Sequence, residues 1–253
     1  MEPLMYRERL VATDVHTENA HRLKRLLLEY HDFRQHKAGH PLRDEAHQVA
    51  DWQAERLKNT HQDLYRHPGY HTGLEFLLTD LYAPAGMTRR DDNIDRVFPK
   101  MVKWLPDHLL ATFAGLVELN LITQSLDLEL AEILSQQGFS ATGLDDERYC
   151  EAYRASKQLA IRERQLALVA ETGQELDRYV RNRTLGWLLS MTRGPAEMAD
   201  LGDLHSFLHR GYSAFRKMNR VDLLIDRLLS REQRVMDNIL AGHPTPFSLP
   251  DDL

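Results

Sequence analysis

The chain has 253 residues, enough for one large domain or two small ones with a sizeable core. Apolar residues make up 42% and charged residues 28%, a soluble globular balance, and the net charge of -6 argues against a general nucleic-acid binder, which carries a basic surplus. A single cysteine, Cys150, excludes an intrachain disulfide and a cysteine-rich zinc site.

The N-terminal stretch MEPLMYRERLVATDVHTEN lacks the apolar core of a signal peptide, so a cytoplasmic protein is expected. Val and Ile are sparse, and apolar residues recur at three and four, so helix is expected nearly everywhere. A first helix is read from Thr17 to Lys37, with Leu23, Leu26, Leu27, Tyr30 and Phe33 on one side and Gly39-His40-Pro41 as its stop. A second runs from Asp44 to Arg66 on a thin stripe of Ala46, Val49, Gln53, Leu57, His61 and Leu64.

HTGLEFLLTDLYAPAGMTRRDDN, residues 71–93, supplies a short third helix. Thr72 and Glu75 have the spacing of a capping box, each side chain serving the other's backbone N–H. Asp80 falls in the last turn, where an acid opposes the helix dipole, among Phe76, Leu77, Leu81 and Tyr82. A carboxylate in such company needs a partner, and Arg89 or Arg90 is expected to supply it, pinning the loop that follows.

Pro99 and Pro106 are each placed as a first helical residue. The second opens a long apolar helix to Gln136. Its greasiest part, Leu105 to Leu126, carries Asp107, His108, Glu118 and Asn120, short of the roughly 20 clean apolar residues of a membrane span. QQGFSATGLDD, residues 137–147, is a loop. From Asp146 to Met191 the pattern is helical, with Ala152, Leu159, Leu166, Gly173, Val180 and Trp187 recurring every seven residues. Unbroken, it would be roughly 69 Å long, against about 45 Å for a compact chain of this size. A bend is expected at Thr172-Gly173. Residues 193–203 form a loop, two helices follow over 204–218 and 221–240, and Gly242 stops the last. The expected architecture is all-α: a single-domain, mostly antiparallel bundle of seven to nine helices over residues 1–242, with an extended or disordered tail at 243–253.

FLLTDLYAP, then RRD, VFPKMVKWLP and LVELNLITQSLD, and later LDRYVRNRTLGWLLSMTRGPA and FLHRGYSAFRKM, resemble a family of uncharacterised bacterial helical proteins. The resemblance runs from about Leu57 to Gly242. It implies an all-helical bacterial protein of unknown function and brings no catalytic residues with it.

Glu118 shares a helix face with Ala111, Ala114, Gly115, Ile122 and Ser125, small residues that let a helix or a ligand come close. It is either paired with an arginine or a tyrosine hydroxyl, or it serves a site. His61 continues the apolar stripe of the second helix and reads more plainly as a hydrogen-bonded core residue than as a ligand. His205 and His209 are spaced to share one helix face, so the two imidazoles could hold one metal. The Glu-x-x-His pairs of a di-iron bundle are absent, as are a phosphate loop, a dinucleotide fingerprint, GxSxG and HExxH. Cys150 lies beside Glu147 and Glu151, which oppose a thiolate. The basic runs at 181–183 and 216–220 read as solvated helix ends or, more sharply, as a seat for an anion.

Two functional readings follow. The first is a non-enzymatic bundle that binds a protein partner or a small apolar ligand, with homodimerisation through the 146–191 helix, no cofactor, no nucleic acid and no membrane. The second is a metal- or haem-dependent oxidase or oxygenase using Glu118 with His61, His205 or His209.

Overall fold

A computed structural model of the chain describes residues 3–77, 97–198, 202–218 and 220–249. The described residues are helical with short connections and contain no strand. The helices are α1 (Pro3–Ala12), α2 (Glu18–Ala38), α3 (Arg43–Thr60), α4 (Gln62–Arg66), α5 (His71–Phe76), α6 (97–104), α7 (Asp107–Gln136), α8 (Asp146–Ser156), α9 (Leu159–Arg181), α10 (Arg183–Met191), α11 (Arg193–Met198), α12 (Gly202–Arg216) and α13 (Val221–Leu240).

The ends of several helices follow from local chemistry. The Thr17 hydroxyl caps α2 by accepting from the backbone N–H of Ala20, and Asp145 caps α8 by accepting from that of Arg148. Pro106 lacks an N–H and stands immediately before α7. Gly242 takes φ of 71°, which lets the N–H groups of Gly242 and His243 close back onto Ile239 and Asn238 and finish α13.

Other elements depart from the expected pattern. The segment 44–66 divides at His61 into α3 and α4. The run from Asp146 to Met191 is three helices, broken at Lys157 and at Asn182. Lys157 adopts a left-handed backbone, φ 54°, and turns α9 away from α8. No bend occurs at Gly173, which sits inside α9 where Ile225 of α13 presses so close that a Cβ would stand 2.7 Å from its side chain. Residues 193–198 are helical rather than loop, with Pro195 in the first turn where its missing N–H costs nothing. The capping box at Thr72 does not form. Helix α5 starts two residues earlier than that box would place it, at His71, whose Nδ1 lies 2.9 Å from the carbonyl of Tyr65, and Tyr70 at its N-cap makes no side-chain capping bond.

Helix α7 is the axis of the fold, with α2, α3, α8 and α9 packed on it. Asn19 meets Asp107 at one end (2.6 Å) and Lys37 meets Gln124 at the other (3.1 Å), so α2 runs parallel to α7. Helix α9 runs antiparallel: the Tyr179 hydroxyl reaches the carbonyl of His108, and Gln158 reaches Glu129. By length and composition α7 is apolar enough to cross a membrane, although Leu105 to Leu126 alone reads as too polar. Here it is flanked by four helices, and its mid-length Glu118 is paired.

Three apolar clusters make the core. One joins α1, α2, α6 and the first half of α7. A second joins α3, the second half of α7, α8 and the end of α13. The third joins α4, α5, α12 and the start of α13. Residues 241–249 carry no helix, and Phe247 among them lies edge-on to Trp52 with ring centroids 5.9 Å apart.

Candidate ligand cavity

Four helices each contribute one face to a small polar cavity in the second cluster. Helix α3 gives Gln53 and Arg56, one turn apart, and α8 gives Tyr149 and Tyr153. Helix α9 gives Arg162, Gln165 and Leu166, while α13 gives Glu232, Val235, Met236 and Ile239. The spacings of three and four are those of single helix stripes, so ordinary amphipathic packing points these side chains at a common space. That space measures about 50 Å³, more than the roughly 30 Å³ share of one water in the liquid.

The walls are held by two polar networks. In the first, both Glu232 oxygens accept from Arg56, at 2.6 and 2.7 Å, and the His61 Nε2 lies 2.8 Å from one of them. Burial alone would raise this carboxyl, but the charge of Arg56 and the bond to His61 outweigh it and hold Glu232 at about 2. In the second, the Tyr149 hydroxyl donates to Gln53 Oε1 (3.0 Å), and Gln53 Nε2 donates to Asp127 Oδ1 (2.5 Å). Trp52 stacks on Tyr149 at 4.2 Å between centroids and fixes that ring. Burial dominates at Asp127, 2% exposed, and raises it to about 7 against the pull of Lys37 and Arg162.

Arg162 is the outlier. It is 6% exposed and lines the cavity, yet it pairs with no carboxylate among the described residues. Its guanidinium lies 3.6 Å from the centroid of the Tyr153 ring, and its Nη2 makes only a long 3.4 Å bond to Ser156 Oγ. Its Nε is buried without a partner. A buried cation without a charged partner is costly, so the site is short of an acceptor. The Tyr153 hydroxyl likewise makes no side-chain hydrogen bond among the described residues, and burial raises its phenol, so it remains a donor. The lining thus combines a cation and a phenol with the aliphatic side chains of Leu166, Val235, Met236 and Ile239. Cys150, whose thiol burial pushes up to about 11, is not in its lining.

The profile of a family described as "Domain of unknown function (DUF8198)" matches residues 32–246, which is most of the chain and all of the cavity. The chain belongs to the DUF8198 family. No curated protein and no solved structure matches it. The DUF8198 match begins within α2, earlier than the resemblance read from the motifs, and leaves α1 outside it.

In this DUF8198 chain the residues singled out from sequence are not brought together. Asp80, Arg89 and Arg90 lie outside the described residues. Glu118 accepts from Arg22 (2.6 Å) on α2 and from Arg164 (2.8 Å) on α9, so its face is an ion-paired helix junction. Burial opposes its charge, but the two arginines prevail and hold its carboxyl below the usual range. His61, 4% exposed, spends Nε2 on Glu232 and buries Nδ1 without a partner. His205 places Nε2 2.7 Å from the carbonyl of Leu189, which binds α12 to α10. The exposed His209 stacks on it at 6.2 Å. Among the described residues no three His, Cys, Asp or Glu side chains converge as a metal site. The basic runs are largely occupied: Arg216 donates to the carbonyl of Val180 near the end of α9, and Arg220 pairs with Asp222.

Sequence reasoning did not find the cavity. Gln53 was visible as a polar member of an apolar stripe, and Asp127 as an acid ending LVELNLITQSLD. Nothing in the sequence singles out Arg162 or Glu232, because the rings and helices that bury them come from other parts of the chain.

Proposed function

We propose that this protein binds a small polar ligand in the cavity between α3, α8, α9 and α13. The observation that carries the reading is Arg162, a buried cation that lines the cavity and pairs with no carboxylate among the described residues, the one carboxylate in the lining, Glu232, being held by Arg56. The lining replaces the apolar ligand expected from sequence with a polar one. The walls support binding rather than turnover: Gln53, Arg56 and Glu232 are already engaged with neighbours. Their rotamers are therefore fixed before any ligand arrives, which lowers the entropic cost of binding.

The test is a thermal-shift panel on the full chain, with small amides, alcohols, carboxylates and phosphate at constant ionic strength. At least one member is expected to raise Tm saturably in the wild type and to lose that effect in Leu166→Trp, which fills the space. A panel with no saturable response, or a response that survives the filled cavity, overturns the reading.

A further inference from the structure

Resting on that binding reading, we propose that the cavity takes a small monocarboxylate with a short alkyl tail, its carboxylate paired with Arg162.

The charge of the site sets the sign and the number. The charged residues lining the cavity are the cations Arg56 and Arg162 and the carboxylate Glu232. Arg56 and Glu232 neutralise each other at hydrogen-bond distance. Asp127 takes its hydrogen bond from Gln53, while Lys37 and Arg162 act on it through space. The lining therefore keeps one cation, Arg162, without a carboxylate partner among the described residues. A single negative charge in the cavity balances the group, whereas a doubly charged oxyanion overshoots it.

The shape follows from how Arg162 is held. The Tyr153 ring covers one face of the guanidinium, so a partner is favoured in the plane, along an N–H edge. A flat two-oxygen acceptor suits that edge better than a tetrahedral one. The long bond to Ser156 is weak enough to yield to a charged acceptor. The Tyr153 hydroxyl is the second free donor. Leu166, Val235, Met236 and Ile239 also line the cavity and offer aliphatic surface to a methyl or ethyl group. The volume, about 50 Å³, admits only a few non-hydrogen atoms.

The experiment is an NMR titration of the full chain with carbon-13-labelled acetate, with acetamide and phosphate as competitors and labelled propionate in parallel. Acetate is expected to bind saturably, and acetamide, the neutral isostere, at least tenfold more weakly. Tyr153→Phe keeps the ring over Arg162 and is expected to weaken acetate several-fold; Arg162→Met is expected to abolish binding. Should Arg162→Met fail to fold, Tyr153→Phe and the acetamide comparison decide. Acetamide binding as tightly as acetate, phosphate displacing acetate at lower concentration than propionate does, or undiminished acetate binding by Tyr153→Phe overturns the carboxylate assignment. The first two results leave the broader binding reading intact. Absence of any saturable response across the probes overturns both.

Discussion

The Arg162 guanidinium lies over the Tyr153 ring, 3.6 Å from its centroid, although the two residues sit on separate helices joined through Lys157. A desolvated cation–π contact of this kind contributes on the order of 2 kcal/mol. It helps the fold tolerate a buried arginine that has no carboxylate partner among the described residues. Replacing the ring and replacing the hydroxyl should therefore have different consequences. Tyr153→Phe is expected to keep stability within about 1 kcal/mol, because no protein hydrogen bond is lost. Tyr153→Leu removes the π face and opens a void, and is expected to cost about 2–4 kcal/mol in urea unfolding. Equal effects of the two changes would show that the ring does not support the cation.

Asp127 gives the protein a stability that falls with rising pH. Its carboxyl is lifted from 3.8 to about 7 in the folded state. The native chain therefore holds a proton that the unfolded chain has released. The contribution is full below the unfolded value and is lost as pH rises through 7. Asp127→Asn keeps an acceptor for Gln53 and has no charge to bury. It is expected to gain on the wild type by about 2–4 kcal/mol between acid and mildly alkaline pH. Parallel Tm-versus-pH curves for the two proteins would refute the assignment.

Glu232 governs the acid side with the opposite sign. Its carboxyl is lowered from 4.5 to about 2, so its stabilising pairing is present above 4.5 and lost as pH falls through 2. Glu232→Gln leaves Arg56 buried without a charged partner. It is expected to destabilise at neutral pH by about 3 kcal/mol and to flatten the acid limb of the stability curve. An acid limb that persists unchanged in the variant would place its origin elsewhere.

Glu118 is a junction rather than a reactive group, because Arg22 and Arg164 reach it from two helices. The three side chains are only partly buried, so the penalty for losing the carboxylate is moderate. Glu118→Ala is expected to lower stability by about 1–2 kcal/mol. A double-mutant cycle with Arg22→Ala should show coupling. Ligand binding in the cavity should be unchanged, and strict additivity in the cycle would contradict the junction.

Gly173→Ala sets two effects against each other. Alanine gains up to about 1 kcal/mol of helix propensity over glycine. The new Cβ, however, would meet Ile225 at 2.7 Å and force α9 from α13. Overpacking of this kind costs about 1–3 kcal/mol, so net destabilisation by chemical denaturation is expected. The paired change Gly173→Ala with Ile225→Val should recover part of it. A stabilised single variant would mean that the two helices part easily.

Helices with clear terminal chemistry were legible in the sequence. Helices α7 and α13 lie where Pro106 and Gly242 place their ends, and α2 starts after Thr17 as read. The break at Lys157 was not legible, because Ser156-Lys157-Gln158 contains neither proline nor glycine and lysine seldom takes a left-handed backbone. Gly173 gave a true signal with the wrong meaning: glycine marked a close approach, not a bend. The cavity stayed hidden because each of its helices looks ordinary alone. Arg162 becomes unusual only when Tyr153 and α13 are seen to bury it.

The left-handed residue at 157 has one further consequence. Residues on opposite sides of it must keep their rotational phase, since an α-helix turns about 100° per residue. One residue inserted or deleted between Ser156 and Leu159 would swing the guanidinium off its aromatic platform and away from the aliphatic wall. The length of this two-residue joint is thus as tightly specified as any side chain it aligns.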